Sequence, residues 1–199
     1  MLSKISIIAT LATFGSLVAA DNIYTYINPG CQGCAFFFKD IDHNVCAVSI
    51  TGNASSIADA IAKGYTTVQS GKFVTQECGQ KHFLGWDDGP GKNADGPLQC
   101  GTVVGNEKVW GTETCIGMPP YGVDGFHGFS WTEPSSNKSE KRDQWTCTGS
   151  VEPDGVVLNG KNYNLHGISQ SDADRLKELA MAGGGEVPAD LQQHEVAQF

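Results

Sequence analysis

Seven cysteines, Cys31, Cys34, Cys46, Cys78, Cys100, Cys115 and Cys147, all follow residue 30 of a 199-residue chain. In an oxidising compartment thiols at such density pair and cross-link distant segments, so they predict a disulfide framework. An odd count allows three bridges and one remaining sulfur, drawn in about a hundred ways. Six of the seven are therefore expected in bridges, with the pairing left open. None follows Cys147, so the end of the chain lies outside any stapled region.

The start of the chain supplies the oxidising context. Met1 to Ala20 carries one early charge at Lys4, an apolar stretch from Ile5 to Val18 and the small-residue exit Val18-Ala19-Ala20, followed at once by Asp21-Asn22. That is the pattern of a secretory signal peptide, too short to stay as a membrane anchor. Residues 1–20 are thus expected to leave, and the mature protein to be secreted and extracellular. Loss of Lys4 leaves 12 basic side chains against 22 acidic, a net charge of −10. Such a chain repels phosphate backbones in bulk, so general nucleic-acid binding is not expected, although the local patch Lys138, Lys141 and Arg142 could override that average; membrane binding is not expected either. Asn53-Ala54-Ser55 and Asn137-Lys138-Ser139 are glycosylation acceptors, which predicts surface loops at Asn53 and Asn137.

The pattern within the mature chain is mixed. Ser55-Ser56 ahead of Ile57, Ala58, Ala60, Ile61 and Ala62, with Gly64 behind, predicts one short packed helix. Strands are expected at Ile23 to Ile27, Ala35 to Phe38, Tyr65 to Val68, Lys72 to Thr75 and Gln144 to Val151. A hairpin is expected from Gly101 to Val104 through Gly105-Asn106 into Lys108 to Trp110. The strongest hairpin signal is Asn159-Gly160 between Val156 to Leu158 and Lys161 to Leu165, because that dipeptide supplies both positive φ angles of a type I′ turn. Ser169 or Ser171 caps a second helix, Asp172 to Met181, stopped by Gly183-Gly184-Gly185. The expected fold is α+β: a small disulfide-stapled antiparallel sheet with one short packed helix over 21–168, a C-terminal helix within 169–185, and a flexible acidic tail over 186–199.

Chemistry-bearing residues cluster in three places. Lys81 to Pro90 sets His82, Trp86, Asp87 and Asp88 beside Gly85 and Gly89, as at a ligand or catalytic rim, or as in a solvated surface turn. Gly122 to Trp131 combines Phe126, Phe129 and Trp131 with His127, either an aromatic wall for a binding cleft or a core with a satisfied imidazole. His82, Glu133, Arg142 and His166 supply, in chain order, an acid or base, a carboxylate, a phosphate-binding cation and a second imidazole. Cleavage of RNA through its 2′-hydroxyl uses such a set. Cys31-Gln32-Gly33-Cys34 has the spacing of a thiol-disulfide redox site, but the following Ala35-Phe36-Phe37-Phe38 suits a buried strand rather than the helix such a site needs, so both cysteines are expected in structural bridges. His43 near Cys46 is a lone imidazole, and neither a metal nor a cofactor is expected. No G-x-S-x-G, P-loop or H-E-x-x-H occurs.

The segment Ile57-Ala58-Asp59-Ala60-Ile61-Ala62-Lys63-Gly64-Tyr65 resembles the helix-Gly-Tyr entry of the secreted fungal guanyl-specific ribonucleases, an α+β family whose active-site order is His, Glu, Arg, His. Gln80-Lys81-His82 stands where that family has Tyr-Pro-His. The resemblance implies catalytic roles for His82, Glu133, Arg142 and His166. The overall layout, with Asn28 to Phe38 and Val45-Cys46-Ala47, is similar to the small secreted cysteine-rich proteins of filamentous fungi, many of which are effectors. That likeness implies a virulence factor that binds a host or extracellular protein or glycan, with His127, Phe126, Trp131 and Trp86 as candidate contacts. A ribonuclease-type hydrolase is the alternative, and a redox protein using Cys31 and Cys34 the weaker one.

Overall fold

The computed structural model describes residues 21–49, 68–77, 79–87, 101–119, 125–134 and 145–197. Among these, two sheets face each other. The first holds β1 (Asn22–Tyr26), β2 (Ala35–Phe38), β4 (Ser70–Val74), β7 (Glu113–Ile116), β10 (Gly155–Leu158), β11 (Lys161–Asn164) and β12 (Glu195–Val196), in the order β12-β11-β10-β2-β1-β4-β7. The second holds β3 (Val45–Val48), β5 (Lys81–Asp87), β6 (Thr102–Val109), β8 (Gly128–Thr132) and β9 (Gly149–Val151), in the order β6-β5-β8-β3-β9. All described pairings are antiparallel except β3 with β9. With the helix α1 (Gln170–Met181), the α+β expectation holds in its coarse form. The helix expected over 55–64 lies outside the described residues.

Alternation along the strands decides what fills the space between the sheets. Ile23, Phe36, Phe38 and Phe73 of the first sheet join Phe83, Phe129 and Trp131 of the second in one core, which Phe126 and Val68 complete. Phe83 stacks on Phe129 at 5.2 Å and on Phe73 at 5.6 Å between ring centroids. Two strand glycines make room for these rings: a Cβ on Gly71 would lie 2.5 Å from Phe129, and one on Gly85 2.6 Å from Phe126. The same face of the first sheet continues past the second sheet and is covered there by α1, whose Leu176 and Ala180 join Val156, Leu158 and Tyr163.

Three expectations are corrected. Lys81 to Asp87 is neither rim nor turn but β5, a strand paired on both sides, with Gly85 admitted because the Phe126 ring occupies the position of its side chain. Gly105-Asn106 does not reverse the chain. β6 runs through it, with a register shift at Val104, because Gly105 faces Gly85 across the ladder and packs near Phe126 and Ile116. Of the strand expected over 144–151, Gly149 to Val151 forms, Trp145 to Thr148 stay outside it, and Gln144 lies outside the described residues.

The end of the chain is also corrected. Instead of a mobile tail, Glu186 to Val196 forms a strap back across α1 that ends as β12 on β11. Leu191 is fully buried and Val187 nearly so, Arg175 holds Asp190 at 2.6 Å, and Lys161 holds Glu195 at 2.7 Å. Two apolar anchors spaced four residues apart within a polar run gave too little periodicity to read. The Asn159-Gly160 hairpin forms as expected, with φ of 52° and 77°, and Ser169 caps α1 by accepting from the Asp172 N–H at 3.1 Å. Leu191→Ala should therefore cost about 2–5 kcal/mol in denaturant unfolding, as for any buried leucine, whereas a mobile tail would lose less than about 0.5 kcal/mol.

Candidate functional site

Candidate residues separate onto distinct layers of the sandwich. His82 follows Lys81 on β5 and alternates with Phe83, so it faces away from the first sheet. It is 1% exposed, with Nδ1 3.0 Å from Asn106 Oδ1 and its ring 5.8 Å from that of Trp145. Its cross-strand neighbour on β8 is Thr132, which brings exposed Glu133 next along the chain. His166 belongs to the turn after β11 in the other sheet, where it is exposed and pairs with Asp154 at 2.8 Å. The two imidazoles thus lie on different layers, and Arg142 lies outside the described residues, as do Asp88, Asn53 and Asn137.

The aromatic candidates are core. Phe126 is fully buried, and Trp86 and Trp131 nearly so. Trp86 donates its indole N–H to Ser130 Oγ at 2.8 Å, in a second apolar cluster with Cys46, Val48 and Leu84 on the outer face of the second sheet. Trp131 donates to the Ile41 carbonyl at 2.8 Å, inside the main core. His127 is half-buried, and its backbone N–H donates to the Trp86 carbonyl at 2.8 Å. An aromatic wall for a ligand is therefore not presented by Phe126, Trp86 or Trp131.

The cysteines also divide. Cys31 bonds Cys115 across 84 residues, tying the loop after β1 to the edge strand β7. Cys46 is also disulfide-bonded. Cys34, expected in a bridge, is instead a free thiol, 3% exposed, in the core beneath the turn after α1. A Cβ on Gly184 would lie 2.9 Å from its Sγ, so the glycine and the sulfur pack directly. Cys115 shares the outer face of the first sheet with Lys72, whereas Cys34 belongs to the inner one. The two cysteines of the C-x-x-C are therefore not joined to each other. Among the described residues no group of three or more His, Cys, Asp or Glu converges as a metal site would.

Sequence reasoning passed over two polar arrangements. Lys81 is 4% exposed, with Nζ 2.8 Å from Asp21 Oδ2, 3.1 Å from Asp21 Oδ1 and 3.1 Å from Thr75 Oγ1, and it lies 4.4 Å from the centroid of the Trp131 ring. Asp21 is itself 8% exposed, and its carbonyl accepts from the Ile41 N–H at 2.8 Å. The only sequence signal was a lysine two residues ahead of the apolar Phe83-Leu84. The second arrangement is on the outer face of the first sheet, where Tyr24 lies 4.8 Å from Phe37 and 6.5 Å from Tyr26. Burial, then the neighbouring Tyr24 and Glu113, push the Tyr26 hydroxyl up to about 12. No protein-family model, curated protein or solved structure matches the chain.

Two outcomes follow from this geometry. Lys81→Met leaves the Asp21 carboxylate buried without its cation and should cost about 3–5 kcal/mol, with part recovered when Asp21→Asn is added, read by urea denaturation. Tyr26 ionises near its ordinary value of 10.0 when unfolded and near 12 when folded, so its contribution is fully present below pH 10 and is lost as pH rises through 12. Tyr26→Phe should therefore lose less stability than the parent protein between pH 10 and 12.

Proposed function

We propose that this is an exported, effector-like protein that acts by binding an extracellular or host target. The observation that carries this reading is at Asp21, the residue after the small-residue exit Val18-Ala19-Ala20. Its carboxylate is a buried partner of Lys81, and β1 begins at the next residue. The Cys31–Cys115 bridge fits an oxidising destination. Binding is favoured over catalysis because His82 and His166 sit on different layers, whereas a paired acid and base must both come within about 3 Å of the reacting atoms or of a bridging water.

The ribonuclease alternative retains one supporting feature, the neighbouring placement of His82 and Glu133 through Thr132. Expression in a secreting eukaryotic host followed by N-terminal sequencing tests export: the expected first residue is Asp21, and a retained leader or a start beyond Asp21 would sink it. The purified oxidised protein should leave RNA intact. Cleavage that disappears in His82→Ala would replace the binding reading with the enzymatic one. Saturable retention of the labelled protein on host-cell or extracellular-matrix surfaces is the positive readout for binding.

A further inference from the structure

The two sheets present four edges among the described residues, and they differ in length. β12 has two residues, β9 three and β7 four, whereas β6 has eight. A strand edge is a row of unpaired N–H and C=O groups that templates another strand, and shortening it is one way of disarming it. Three edges are disarmed in that way, and β6 is not. Alternate residues of β6 turn their backbone groups away from β5. Among the described residues, nothing outside the β5 ladder receives a backbone hydrogen bond from Thr102 to Val109.

We propose that the free edge of β6 is a docking site for an extended segment of the target protein, one bearing a lysine or arginine, which joins the second sheet as an added strand. The proposal deepens the binding reading above and rests on it. Backbone chemistry selects an extended occupant, since only a strand returns both a donor and an acceptor at the strand repeat. The acidic balance of the chain, 22 Asp and Glu against 13 Lys and Arg, favours a basic occupant. Asn106, Glu107 and Lys108 are all exposed, and neither Glu107 nor Lys108 has an ion-pair partner among the described residues. Glu107 offers an unmatched carboxylate to a cation opposite it, and neighbouring Lys108 an ammonium to an acceptor beside that cation.

Trp110, immediately beyond the strand, is 72% exposed, the largest exposure of any large apolar side chain described. An open indole at the end of a free edge gives an arginine or an apolar side chain a broad face to lie on. A second copy of this chain is the poorer occupant. The register shift at Val104 confines the regular edge to Gly105 to Val109, Lys108 blunts flat self-pairing, and two copies would each bring a net charge of −9.

The test uses the full chain and a displayed library of random peptides of about twelve residues, with selected peptides resynthesised for binding. Selected sequences should carry Lys or Arg, and on binding should slow amide hydrogen exchange at Gly105 to Val109 by about tenfold or more. Trp110→Ala and Glu107→Lys, both at exposed side chains, should each weaken binding about tenfold while leaving the circular dichroism spectrum unchanged. Peptides that bind while leaving those amides unprotected would overturn the edge assignment and leave the binding reading standing. So would recovery of no peptide with a Kd below about 1 mM. A concentration-dependent dimer that protects the same amides would overturn the choice of a foreign strand. Failure of the protein to be retained on any extracellular surface would instead strike the binding reading itself.

Discussion

The fold depends on how closely its two sheets approach around Phe129. That ring comes from β8 of the second sheet and lies directly on the backbone of Gly71 in β4 of the first, with Phe83 stacked beside it and Phe126 at 4.8 Å. Any side chain at Gly71 or Gly85 would collide with an aromatic ring, so both strand glycines act as sockets rather than turns. Close-packed interiors tolerate little added volume, which makes the register of β4 against β1 and of β5 against β8 depend on two residues without side chains. The Lys81–Asp21 pair lies at the margin of this layer, with the ammonium over Trp131. Sealing that margin with an ion pair anchors the first residue of the described chain to a strand of the opposite sheet.

The legible parts of this fold are those specified by neighbours in sequence. Asn159-Gly160 encodes its turn through two backbone angles, Ser169 encodes a helix start through one hydroxyl, and Ala35 to Phe38 reads as buried because an aromatic run has nowhere else to go. The illegible parts depend on partners far along the chain. Lys81 to Asp87 carries a lysine, a histidine, a glycine and an aspartate in seven residues, a composition that belongs to a surface turn unless each has a distant partner. Here the lysine has Asp21, the histidine has Asn106 and the glycine has Phe126. His82, Trp86, Phe126 and Trp131 were hard to place for the same reason, since these residues, chosen for their chemistry, are buried by packing.

The outer face of the first sheet illustrates a different limit. Tyr24, Tyr26 and Lys72 occupy it together with Cys115, while the alternate residues Ile23, Thr25 and Phe73 face the core. Two-residue periodicity in Asn-Ile-Tyr-Thr-Tyr announces a strand but leaves both faces nearly equally apolar, so the pattern does not say which face is inside. The buried Thr25, bonded to Ser49, is on the inner face, whereas the tyrosines are half-buried outside. The C-x-x-C was ambiguous in the same sense. Spacing gives proximity along the chain, but a pleated sheet sends Cys34 into the core while the bridge from Cys31 runs to the opposite face.

The path of the chain explains how the two sheets are held together. After β2 the chain enters the second sheet at β3, returns for β4, leaves again for β5 and β6, returns for β7, leaves for β8 and β9, and finishes in the first sheet. Each passage sews one sheet to the other, and among the described residues aromatic rings pack the space between them. What such a sandwich displays to solvent is loops, outer faces and strand edges. Edges are the most chemically committed of these, because their backbone groups must bond to water or to another strand. Among the described residues three edges are short and β6 is long, with Glu107 and Lys108 exposed along it and Trp110 just beyond it.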